Sequence, residues 1–245
     1  GGAAESGRPF PDIIGFSLRE YGQRIGIYRI AAMLNRYGIP ATIAIDADIA
    51  LNYPFLIKHL RSKGCEFIAH GMSSNQMITS RMTETFERDY IKRSINAITQ
   101  ATGTRPVGWL GPEYGESQRT IEILAQEGIL YVCDWPNDDQ PYAMKAQTGS
   151  IYSLPVALDL DDTFTHYYKN VPVDVYTKMI TDTFDVLHSE GTESGRLMVL
   201  NIHPWLMGQP FRSKHLDQEL KYISARKNVW KATGREIIMW SRQGA

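Results

Sequence analysis

Two histidines and one aspartate stand directly behind apolar runs, a placement suited to acid–base chemistry. His203 follows Leu197–Ile202, His70 follows Cys65–Ala69, and Asp134 follows Ile129–Cys133. A histidine exchanges protons near neutral pH. A carboxylate on one ring nitrogen fixes the tautomer and strengthens the other nitrogen as a base. Further polar groups trail each run: Asp46 and Asp48; Ser73, Ser74 and Asn75; Gly111, Glu113 and Glu116; Trp135, Asp138 and Asp139; Trp205, Gly208 and Arg212. Mixed acids, imidazoles, tryptophans and glycines suit a polar, hydrogen-bonding substrate with a flat or ring-like body.

The elements that must position these residues read as alternating strands and helices. Strands are predicted over 41–45, 65–69, 106–110, 129–133, 150–156 and 196–202, and a short apolar stretch over 237–240. Helices are predicted over 23–37, 54–62, 83–102, 117–127, 172–190 and 213–226. Thr83 is placed as an N-cap and Gly103 as a C-terminal stop. Such alternation argues a mostly parallel sheet, whose ligand site lies beyond the strands' C-terminal ends.

Several residues carry a plainer reading. Asp48 and Glu116 serve as helix caps, and Asp159, Asp161 and Asp162 form a solvated acidic turn. His59, His166, His188 and His215 are surface or structural. Trp109 and Trp135 fit core packing or a site wall equally well.

The balance of 26 Lys+Arg against 27 Asp+Glu in 245 residues offers no basic surface for nucleic acid or an anionic membrane. The longest uncharged stretch, Leu197–Phe211, holds a histidine and two prolines and does not read as a membrane span. The first residues show no signal-peptide pattern. Two cysteines, Cys65 and Cys133, lack metal-binding spacing and read as buried thiols. A single domain over 1–245 in a reducing, cytoplasmic compartment is expected.

Some of these residues carry a resemblance. Glu20-Tyr21-Gly22, Arg24 to Arg29, Gly38 to Thr42, Glu66 to Gly71, Gly108 to Pro112, Asp134 to Tyr142 and Leu200 to Arg212 resemble the motifs of the polysaccharide deacetylase (NodB-homology) superfamily. The likeness runs from about Glu20 to the C-terminus. It is strongest to the allantoinase-like branch, whose members hydrolyse a cyclic ureide amide without a metal. The implied fold is α/β, a distorted (β/α) barrel of the polysaccharide deacetylase type, with its first strand missing or divergent: Pro11 to Ser17 lacks the family's acidic pair.

The resemblance implies a role for each matching residue. His203 is the general acid, and Asp134 the carboxylate that orients it. Asp139 or Glu20 activates water, and Asp138 pairs with Asp139. His70 and N–H groups near Gly111 stabilise the oxyanion. Trp109, Trp135, Asp138 and Arg212 complete the substrate-binding set. Of the family's His-x-x-x-His metal motif only His70 is present, and Ser74 stands where the second histidine would be. No cofactor or metal is therefore expected, with a weak oxygen-rich divalent site built on Asp46 as the alternative. The expected activity is hydrolysis of a small-molecule cyclic amide or ureide, in a homo-oligomer. Metal-dependent N-deacetylation of an amino sugar, or a non-catalytic binding relative, stand as the alternatives.

Overall fold

The computed structural model describes residues 11–243. Chain contacts divide it into two units: residues 40–156 with 231–243, and residues 11–39 with 157–230.

The first unit is built on a six-stranded sheet of order β1-β2-β3-β4-β6-β5. Its strands are β1 (Thr42–Ile45), β2 (Glu66–Ala69), β3 (Gly108–Trp109), β4 (Tyr131–Val132), β5 (Tyr142–Met144) and β6 (Ile151–Ser153). All neighbours are parallel except β5 and β6, which form a hairpin. The β1–β2 register pairs Thr42 with Glu66 and Ile45 with Ala69, so Asp46 and His70 leave adjacent strands side by side.

Helix ends in this unit follow local chemistry. Pro54 opens the helix Pro54–Ser62, where its missing N–H costs nothing. Thr83 caps Glu84–Thr102 by accepting from the Phe86 N–H, and Gly103 ends that helix at φ 73°, a left-handed turn suited to glycine. The helix buries Ile91, Ile95 and Ile98, one face at three- and four-residue spacing. Each such side chain contributes about 1.5–3 kcal/mol when fully removed from water. Two expectations shift here. The hairpin strand β5 is absent from the strands the sequence predicts, and the apolar 237–240 stretch lies inside a helix, Gly234–Ser241, opened by a Thr233–Glu236 capping box.

The second unit is helical. Ile13–Tyr21, a π-helical turn Gly22–Gly26, and Ile27–Arg36 run on from one another. The 3-10 turn Leu158–Leu160, the π-helical segment Asp162–Tyr168, Val173–Glu190, the short helix Pro204–Met207 and Pro210–Ser224 follow. Its core gathers Ile30, Met33, Leu160, Tyr176, Ile180, Met207, Leu216 and Leu220. The strand predicted over 196–202 does not form: those residues belong to the helical unit, where no described strand offers a ladder.

The π turn packs on the helix Pro204–Met207 with no space to spare. A Cβ on Gly22 would meet the Trp205 backbone nitrogen at 2.6 Å. A Cβ on Gly26 would strike the Pro204 carbonyl oxygen, and one on Gly208 would strike Gly26.

Candidate active site

In the helical unit, His203 is the N-cap of Pro204–Met207. Asp162 grips it twice: Oδ1 lies 2.6 Å from His203 Nδ1, and Oδ2 accepts the His203 backbone N–H at 2.9 Å. A carboxylate accepts, so Nδ1 carries the proton and Nε2 is the nitrogen available for exchange. Asp162 is fully buried; loss of water raises its pKa, and the imidazole and its N–H opposes the rise. Asp161 beside it is also buried, with Oδ1 accepting the Phe164 N–H and Oδ2 accepting Asn201 Nδ2. The expected acidic turn is therefore not solvated. The carboxylate on His203 is Asp162, in the role expected of Asp134.

Aromatic and cationic groups adjoin this pair. The Trp205 ring lies 6.5 Å from His203, with Tyr167 edge-on at 5.1 Å and the Arg19 guanidinium 5.1 Å over the indole. Glu20, on the same helix as Arg19, is half-buried and makes a loose ion pair with Arg24 at 3.7 Å. Arg212 donates from Nε to His166 Nε2 at 2.7 Å.

In the sheet unit, Asp134 is buried at the end of β4. Its Oδ1 accepts the Gly111 N–H at 2.7 Å, and its carboxyl shares a side-chain hydrogen bond with Glu116. The Gly111 N–H is thus spent on Asp134, not aimed at a developing oxyanion. Burial drives the Asp134 carboxyl well above the usual range, and the neighbouring Glu116 drives it further. Burial likewise raises Glu116, opposed by its bonds to Asp134 and Trp135; the Trp135 indole N–H reaches both its oxygens at 3.2 and 3.3 Å. Glu116 is not a helix cap, since the helix begins at Thr120. Between Gly111 and Glu116, Glu113 and Tyr114 both hold positive φ, 55° and 56°, an uncommon conformation for side-chain-bearing residues.

Trp109 is wholly buried, which settles it as core and not as a site wall, while Trp135 is exposed. His70 is half-buried and its Nδ1 bonds the Leu110 carbonyl at 2.6 Å. Asp138 and Asp139 are exposed, and Asp138 turns its loop by accepting the Gln140 N–H. Asp46, not Asp48, caps the helix Ala47–Asn52 through the Ile49 N–H. Ser74 turns its own donors toward the Asp46 carboxylate.

These donors fit a tightly held transition metal poorly. Among the described residues, Asp161, Asp162 and His203 form one cluster of potential ligands, with atoms within 4.8 Å of one another. Every one of its carboxylate oxygens already accepts an N–H from the chain, and His203 Nδ1 is committed to Asp162. At the His70 position the adjacent candidates are Ser74, a poor ligand, and Asp46, occupied as a cap.

The fold and these motifs have known counterparts. The polysaccharide deacetylase family matches residues 22–132. A putative polysaccharide deacetylase of Schizosaccharomyces pombe is 26% identical across 92% of this chain and 75% of its own length. A peptidoglycan deacetylase of Helicobacter pylori is 28% identical across 69% of this chain and 56% of its own length. The crystal structure of Puue allantoinase superposes with a TM-score of 0.83 at 31% identity, over 91% of this chain and 74% of that one. The chain belongs to the polysaccharide deacetylase family, with the α/β fold expected from the sequence. Among the described residues no helix is long and apolar enough to cross a membrane.

Proposed function

We propose that this protein hydrolyses a non-peptide carbon–nitrogen bond, in a cyclic amide or ureide, with His203 as general acid and without a metal. The observation that carries the reading is the 2.6 Å bond between His203 Nδ1 and buried Asp162. It holds the ring in one tautomer and stabilises the imidazolium that must donate. Water oxygen adds to the carbonyl carbon while Glu20 accepts the water's proton. The C–N bond then breaks, and His203 Nε2–H delivers a proton to the departing nitrogen. Glu20 is given this role because its helix runs into the turn that backs onto Trp205. Likeness to Puue allantoinase across most of both chains supports the ureide substrate.

N-deacetylation of an amino sugar is the second reading. The names of the fission-yeast and Helicobacter relatives favour it. Turnover of cyclic ureides and N-acetyl sugars, each with wild type and His203→Ala, separates the two. Hydrolysis of ureides that collapses in His203→Ala is the expected result. Exclusive, chelator-sensitive release of acetate from sugars would replace the first reading by the second.

A further inference from the structure

Arg212 is held in an unusual way. Its Nε–H is donated to an imidazole, not to a carboxylate. His166 can accept it because its other nitrogen, Nδ1, lies 2.5 Å from the Val171 carbonyl. A carbonyl only accepts, so Nδ1 carries the ring proton and Nε2 offers a lone pair. The imidazole is steadied by stacking on Tyr176 at 5.8 Å, and Tyr176 is itself buried and anchored to the Leu160 carbonyl at 2.8 Å. Phe211 supports the guanidinium from its own helix at 4.6 Å.

This arrangement fixes the plane of the guanidinium without neutralising it. No ion pair of Arg212 occurs among the described residues. The acidic groups near enough to act on its charge are Asp162 and Tyr167. Asp162 is already spent on His203. A half-buried arginine anchored through Nε presents its two terminal nitrogens as a planar donor fork, suited to a planar acceptor oxygen pair.

Taking up the substrate-binding role that the family resemblance implies for Arg212, we propose that His166 is the positioning residue that aims its guanidinium at a carboxylate or ring-carbonyl oxygen of the substrate. The inference rests on the ureide-hydrolase reading for the identity of the ligand, and it assigns His166 a role beyond the structural one its sequence suggests.

The test uses hydantoin as the neutral ring and N-carbamoylglycine as the carboxylate-bearing open form. Each is measured by calorimetric binding and, for hydantoin, by turnover. Wild type, Arg212→Lys, His166→Gln and His166→Leu are compared after their folding is checked by circular dichroism. Losing one charge-assisted fork is expected to weaken binding ~10–100-fold. Arg212→Lys should show it as weaker binding and a higher KM, with kcat close to wild type. His166→Leu should behave alike, while His166→Gln, whose amide oxygen still accepts the Nε–H, should recover most of the binding. An effect confined to N-carbamoylglycine assigns the grip to a carboxylate; an effect on hydantoin assigns it to a ring carbonyl. If neither compound is hydrolysed yet binding depends on Arg212 and His166, the grip stands and the ureide-hydrolase reading falls. Equal binding by all four proteins, or no binding of either compound by wild type, overturns the grip. Should His166→Leu fail to fold, Arg212→Lys and His166→Gln still decide it.

Discussion

Asp162 and Asp134 are both buried aspartates from which water has been stripped, yet their surroundings treat them in opposite ways. Asp162 receives a ring N–H and a backbone N–H from one histidine, and that histidine can supply a positive charge. Asp134 receives a single backbone N–H and shares its other hydrogen bond with another acid, Glu116. Burial raises both; the histidine opposes the rise at Asp162, whereas the Glu116 charge adds to it at Asp134. Depth alone therefore says little about an acid's task. A countercharge favours the anionic form of a buried carboxylate beside an imidazole; a second acid beside it favours the protonated form.

The largest effect expected from breaking this contrast is at the imidazole. His203→Ala should lower turnover by ~10²–10⁴ while the fold persists, as befits loss of a general acid. It should also strand Asp162 without its countercharge, so the variant's stability relative to wild type should fall between pH 5 and pH 8. Steady-state kinetics and urea melts at both pH values check this. A variant with wild-type turnover would remove His203 from the chemistry.

Asp134→Asn should act on stability with the opposite sign. A carboxyl raised above its unfolded value stabilises the fold at low pH, and that stabilisation is lost as pH rises through the folded value. An asparagine keeps an acceptor for Gly111 and has no charge to bury. Its advantage over wild type should therefore grow by about 1.4 kcal/mol per pH unit above the unfolded value. Urea melts at pH 4.5 and 7.5 measure the slope, and a flat difference would mean that Asp134 is ionised in the fold.

Asp46→Asn should show the same sign over a narrower window. Burial raises Asp46 from 3.8 to about 6, against the Ile49 and Ser74 hydrogen bonds that favour the anion. The gain should climb between those values and then level off near pH 6. Continued growth to pH 8 would place the folded pKa higher.

The smallest effect is the one expected of chelators. Elemental analysis of protein purified without chelator should find no stoichiometric transition metal, and extended treatment should leave turnover unchanged. Activity removed by a chelator and restored by an added ion would return the metal-dependent deacetylase to first place.

Local rules made the helices legible. Pro54, Thr83 and Gly103 mark their boundaries because each acts through its own backbone, and the structure keeps all three. The run 196–202 misled because apolar alternation does not say whether a neighbouring strand exists. The candidate site was legible in part. His203 announced itself by following a buried run, but its partner lies 41 residues earlier in a row of acids that looks solvated. Nothing in Asp159-Leu160-Asp161-Asp162 distinguishes the two acids that turn inward; the fold does that. Asp134 sits behind an apolar run as His203 does, yet it holds the Gly111 N–H, and the imidazole's carboxylate is Asp162. Glu116 stands where a cap would precede a helix starting at 117, but that helix begins at Thr120, three residues later.

The contact between the π turn and the helix that begins at His203 limits what later change can repair. Where two bulky residues clash, a lineage can escape by shrinking one of them. Here Gly26 faces Gly208 and the Pro204 carbonyl, so neither side has an atom to surrender. An alanine at either glycine has no second-site suppressor across the contact, and relief must come from displacing the backbone that carries His203. In a saturation library these positions should stay glycine even when the rest of the interface is randomised alongside them.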